Sequence, residues 1–116
     1  NYSSRYAGDF ELIRMNWTAD FADPYTYLSM LLSNSTYNCS GINDPEYDAL
    51  VEQSNSEADP GKRAELMHQA EKLAVGEQFY IIPLYAMKSV NLVNPEITGI
   101  RQIPASGALE YRYADI

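Results

Sequence analysis

Aspartate followed directly by proline occurs three times in this chain, as Asp23-Pro24, Asp44-Pro45 and Asp59-Pro60. The pair is a strong local instruction. The carboxylate accepts from helix-start amides that have no partner within the helix. Proline at the first helical position gives up only an amide that is unpaired there anyway. Three such starts so close together predict three helices with short, stiff connections, and hence a compact helical lobe. The segments between them share no pattern, so they do not form an internal repeat.

The residues after each pair support this. Positions 25–32 read as a short helix. Tyr47, Leu50 and Val51 fall at helical spacing and predict a second helix ending at about Ser54 or Ser56. In the third, Ala64, Leu66, Met67, Ala70, Leu73 and Ala74 form an apolar stripe at intervals of three and four, with Gly76 as its stop. Lys62, Arg63, Glu65, Gln69, Glu71 and Lys72 populate the other face. His68 sits beside the stripe with no second ligand at i+4, which gives it no metal chemistry. Positions 33–43 are polar and turn-rich, a surface loop.

The flanks read differently. Phe10-Glu11-Leu12-Ile13-Arg14-Met15-Asn16 predicts a strand with apolar residues on both faces, as in a sheet covered on both sides. Arg5 to Gly8 reads as the end of an earlier element. From Phe79 the period changes, and 79–86 is β-rich with Pro83 at its centre. Proline cannot donate to a ladder, so this is an edge, a bend or an extended crossing. A short strand is expected at 89–93, a turn at 97–100, and a last short strand at Tyr111-Arg112-Tyr113. Strand, helices, then strands suggests α+β, or a piece of a larger α/β protein. With too few strands for a covered sheet and first residues unlike a natural start, the chain reads as a fragment of something longer.

Charge and composition remove several classes of function. A net charge of -8 with pI near 4.4, and only eight scattered Lys and Arg, argue against nucleic acid. Cys39 is the single cysteine, so neither an internal disulfide nor a thiolate metal cluster is expected. The Asn-x-Ser/Thr sequons at Asn1, Asn16, Asn34 and Asn38 would matter in a eukaryotic secreted protein, but in so Asn- and Ser-rich a chain they read as chance.

Between the expected strand and the first helix lies Trp17-Thr18-Ala19-Asp20-Phe21-Ala22. Asp20 stands outside the Asp23 cap and needs its own explanation. It either bonds loop amides, with Trp17 as core, or faces a cationic ligand, with Trp17 as a wall of the site. Asp20 and Asp23 could also be read as the carboxylate pair of a hydrolase. Asp23 already has a capping role, however, and no second acid, nucleophile or histidine sits in a comparable turn. A helical interaction module with a tyrosine-rich surface, given ten Tyr, is a third reading.

Four blocks in register resemble the oligopeptide-, dipeptide- and nickel-binding family of ABC-importer solute-binding proteins (extracellular solute-binding protein family 5). They are Trp17-x-Ala19-Asp20-x-x-Asp23-Pro24, Asn43-Asp44-Pro45-Glu46-Tyr47-Asp48-Ala49-Leu50, Arg63-x-Glu65-Leu66-x-x-x-Ala70-Glu71 and Ile81-Ile82-Pro83-Leu84-Tyr85. The resemblance implies the C-terminal part of a two-lobed, periplasmic-binding-protein-like α/β fold. Residues 1–82 would finish the second lobe, and 83–116 would cross back to the first. It implies a binding protein rather than an enzyme, with no cofactor or metal, that presents a peptide to a membrane permease. Other family members bind nickel, haem or other small solutes. Ligand-binding positions carried over are Asp20, for the peptide's free α-amino group, with Trp17 and Ala19 beside it. An extracytoplasmic location follows, free in a periplasm or as a cell-surface lipoprotein. The isolated segment is expected to self-associate through faces that the rest of such a protein would cover.

Overall fold

The computed structural model describes residues 7–88, 90–104 and 106–116. All three Asp-Pro pairs open helices. Helix α1 spans Tyr25–Leu28 and tightens into a 3-10 turn over Ser29–Leu31. Helix α2 spans Pro45–Ser56, with the Asp44 side chain accepting from the Glu46 and Tyr47 amides. Helix α3 spans Pro60–Glu71, with Asp59 accepting from the Lys62 amide. Two short strands follow, β1 (Arg101–Gln102) and β2 (Leu109–Glu110), paired antiparallel with Arg101 opposite Glu110.

The chain forms two compact units. The first comprises Asn1–Trp17 and Asp23–Pro83, and the second Thr18–Ala22 and Leu84–Ile116. In the first, Leu32, Tyr47, Val51, Ala70, Leu73 and Ala74 form a buried cluster, with Leu28, Leu50 and Tyr80 packed on it. Tyr47 and Val51 are fully enclosed. Burying a phenol ring requires a partner for its hydroxyl, and Tyr47 donates to the Leu28 carbonyl at 2.8 Å, tying α2 to α1. Asp48 accepts from the Ser33 amide at 3.0 Å. The Asn38 side chain ties the two ends of the loop between α1 and α2 together. Its amide nitrogen donates to the Leu32 and Ile42 carbonyls, and its oxygen accepts from the Ile42 amide.

In the second unit the hairpin is extended by a bridge between Thr98 and Asp115. Gly99 is obligatory beside that bridge. Its φ is +72°, and a Cβ there would lie 1.7 Å from the Tyr113 carbonyl oxygen. Arg101 lies over the Tyr113 ring, 5.0 Å from its centroid.

Several expectations are corrected. Residues 10–16 form no strand, although their burial does alternate. Ile13, Met15 and Trp17 are half-buried, while Leu12, Arg14 and Asn16 are exposed. Alternation is a side-chain property, but a strand needs a neighbouring backbone, and no described strand pairs with this stretch. Positions 90–93 likewise carry no ladder, and Ser89 lies outside the described residues, as does Arg5. The last strand is Leu109–Glu110, ahead of the expected Tyr111-Arg112-Tyr113, where the chain turns instead. Gly76 does not stop the third helix. The helix widens into a π-helical segment over Lys72–Glu77, and the chain leaves it at Phe79, with φ at 54°. The Tyr80 amide closes this exit on the Ala74 carbonyl at 2.8 Å.

Candidate functional site

The turn at 18–22 joins two points that both belong to the first unit. On its amino-terminal side, the Trp17 indole N–H donates to Thr26 Oγ1 at 3.4 Å. The same ring meets Tyr37 edge-on, with centroids 4.7 Å apart. Trp17 is therefore half-buried and held between α1 and the loop that follows it. Ala19 is half-buried and Asp20 exposed, and both belong to the second unit.

On the carboxyl side, Asp23 does more than cap α1. Its Oδ1 accepts from the Tyr25 amide at 2.9 Å, as the Asp-Pro pair predicts. Both of its oxygens also receive the Arg63 guanidinium, Nη1 at 2.7 Å and Nη2 at 3.0 Å. The third face of that guanidinium is occupied too, since Nε donates to the Ser54 carbonyl at 3.1 Å. Arg63 hydrogen bonds hold the Asp23 carboxyl below its ordinary range, and the Tyr25 amide adds to this. The planar fork makes the contact directional as well as attractive.

This corrects the placement of Arg63 on the solvent-facing side of α3. Its side chain is 29% exposed and Asp23's is 28%, so the pair is largely screened from bulk water. An Asp-Pro pair explains one carboxylate oxygen; the second oxygen was the available signal that another donor was needed. Tyr80 was missed in the same way. Its hydroxyl donates to Asp44 Oδ2 at 2.7 Å, the oxygen that the α2 cap leaves open. That contact lowers the Asp44 pKa and raises the Tyr80 pKa.

Asp23, committed to Arg63 and a helix start, has little capacity left as the second carboxylate of a hydrolytic pair. His68 lies 3.8 Å from Glu71 on an exposed face. Among the described residues no group of three or more His, Cys, Asp or Glu side chains is arranged to hold a metal ion. An open apolar groove of about 820 Å³ runs along the first unit, lined by Tyr27, Leu31, Met67, Val75 and Ile81 among others. Trp17, Ala19 and Asp20 do not line it.

No family model matches the chain. The chain is 36% identical over 106 residues, 91% of its length, to the dipeptide-binding protein DppE of Bacillus subtilis. It is 33% identical over 111 residues to the probable deoxycholate-binding periplasmic protein YgiS of Escherichia coli. Among solved structures it is similar to the substrate-binding domain of an oligopeptide ABC transporter from Bacillus anthracis. That match has a TM-score of 0.69 and 31% identity over 84% of the chain. The chain spans about a fifth of these proteins: 19% of DppE, 20% of YgiS and 19% of the solved chain.

Proposed function

We propose, from the premise that the chain is homologous to the oligopeptide- and dipeptide-binding proteins of ABC transporters over about a fifth of their length, that it is the C-terminal part of a peptide-capturing subunit of an importer. In this reading Asp20 receives the peptide's free α-amino group, and Trp17 and Ala19 line the same site. The complete protein captures a peptide between two closing lobes outside the cytoplasm and delivers it to a membrane permease. Residues up to 82 belong to one lobe and 83–116 return to the other. The compact units also divide at Pro83, which supports that boundary, while Thr18–Ala22 groups with the residues after it.

The observation that carries the reading is the dipeptide-binding relative matching 91% of the chain, Asp20 turn included. The chemistry agrees with it. An ammonium enclosed between lobes loses its water and needs a carboxylate in return. Sheet-like hydrogen bonds to the peptide backbone would add affinity without reading sequence. Closure is then a shift between open and closed states, driven by contacts available only when the lobes meet.

The test is a titration of the complete protein, with tryptophans other than Trp17 replaced. Trp17 emission is followed with short free peptides and with the same peptides N-acetylated. A saturable change with free peptides, lost on acetylation and lost in Asp20→Ala, is expected. Equal response to both forms would return Asp20 to bonding loop amides. The deoxycholate-binding relative favours a second reading, a solute other than a peptide in the same fold. Absence of response to every peptide, with a response to a bile acid, would select it.

A further inference from the structure

The turn bearing Asp20 is short and held at both ends. Five residues, Thr18–Ala22, separate Trp17 from Asp23. The Trp17 ring is fixed by Thr26 and Tyr37, while Asp23 is fixed by one guanidinium. That guanidinium is itself immobilised, because its Nε is spent on the Ser54 carbonyl near the end of α2. Arg63 thus locks the carboxyl end of the turn to α2 and α3 together, and the Tyr25 amide on Asp23 locks it to α1. The guanidinium is committed to Asp23 and Ser54, so its role toward a ligand is indirect.

Resting on the reading of Asp20 as the ammonium partner, we propose that Arg63, acting through Asp23, is a positioning residue for peptide capture. It presents the 18–22 turn in one conformation before the ligand arrives. A carboxylate that must meet an ammonium directly gains from being fixed in advance, because a mobile turn has to be ordered on binding and that ordering subtracts from affinity. The geometry of the pair suits this role better than charge alone would. Two parallel N–H···O bonds fix the plane of the Asp23 carboxylate, whereas a lysine ammonium would supply attraction without orientation.

The experiment uses the complete protein and two probes, trialanine and N-acetyl-trialanine, with competition against a labelled peptide to keep weak binding measurable. The readout is the ratio of the two affinities. Asp20→Asn should bring that ratio close to one. Arg63→Gln should reduce trialanine affinity roughly tenfold, as the fixed turn becomes mobile, and leave N-acetyl-trialanine unchanged. Arg63→Lys should restore only part of the loss. Asp23→Asn, which keeps an oxygen for the Tyr25 amide but loses the charged fork, should behave like Arg63→Gln and serves if that variant fails to fold. Equal weakening of both probes by Arg63→Gln and Asp23→Asn would make the pair a support of the fold alone and overturn the proposal. An unchanged ratio in both variants would overturn it equally. If Asp20→Asn leaves the ratio intact, amino-group capture itself fails, whatever Arg63 does, and the two failures are thereby told apart.

Discussion

The helical stretch from Asp23 to Pro83 and the stretch from Leu84 to Ile116 are both rich in apolar residues, yet only the first encloses them. In the helical stretch, Tyr47, Val51, Ala70 and Ala74 are at most 1% exposed. In the other, Leu84, Met87, Val90 and Leu92 are 74%, 73%, 85% and 98% exposed, and regular structure among the described residues is two strands of two residues. The difference is one of partners. A helix satisfies its backbone within itself and needs only neighbouring helices to cover its stripe, and three arrive within fifty residues. An extended segment needs another chain segment for its backbone and two surfaces for its side chains. Among the described residues, backbone ladder pairing in the second stretch is confined to β1 with β2 and the Thr98–Asp115 bridge.

The largest expected effect tests this difference directly. The isolated 116-residue chain should self-associate, seen as concentration-dependent sedimentation, whereas the complete protein should stay monomeric under the same conditions. A clean monomer at high concentration would remove the contrast between the two stretches. Within the helical unit, Tyr47→Ala should cost about 3–5 kcal/mol, measured by urea unfolding of the complete protein, since it empties a closed site. The substitution also leaves the Leu28 carbonyl without its hydroxyl donor. A loss below about 1 kcal/mol would mean that this core is far looser than its geometry.

Smaller effects sharpen the picture at the caps. Asp44→Ala should cost roughly 1–2 kcal/mol, because it strips α2 of both capped amides. Asp59→Ala, which frees one amide, should cost less. The same carboxylates set the acid limit. The Asp23 and Asp44 pKa values lie below the ordinary 3.8, so their contribution is complete above that pH. It is lost as pH falls through the lowered values. At the alkaline end the sign reverses: burial raises the Tyr47 pKa, and Asp44 raises that of Tyr80. Their contribution is intact below pH 10 and falls as pH rises beyond it. Thermal unfolding followed by circular dichroism should therefore show a plateau between these limits, and Asp44→Asn should flatten part of the acid slope.

The smallest effect is a gain. Phe79 holds a left-handed backbone while 67% exposed, so Phe79→Gly should stabilise by about 1 kcal/mol, relieving the backbone at little cost in packing. A loss on Phe79→Gly would mean that the ring is covered in the complete protein.

Much of the helical unit was legible from the sequence because its signals are local. Each Asp-Pro pair acts within one turn of itself, and the stripe through Met67, Ala70, Leu73 and Ala74 needs only the period of a helix to be read. The helix exit was not legible. Gly76 has the right chemistry for a stop, but closure on Ala74 carries the chain past it to a phenylalanine that local propensity disfavours there. Trp17 and Asp20 could be named from the sequence as candidates, but the ion-pair partner of the neighbouring Asp23 could not. Arg63 lies forty positions from Asp23 and sits in a polar sequence face indistinguishable from a solvated one.

The sequence by itself determined where the helices begin, the inward turn of Tyr47, Val51, Met67 and Ala70 (but not that Ala64 is exposed and Arg63 half-buried), and the family to which its four motif blocks point. These follow from interactions within a few residues or from patterns that survive in isolation. Tertiary structure alone decided the second partners: Arg63 on Asp23, Tyr80 on Asp44, Tyr47 on the Leu28 carbonyl, and the close approach that only Gly99 permits. A hydrogen bond between distant residues depends on the path of all the chain between them, and residue type at either end does not encode that path.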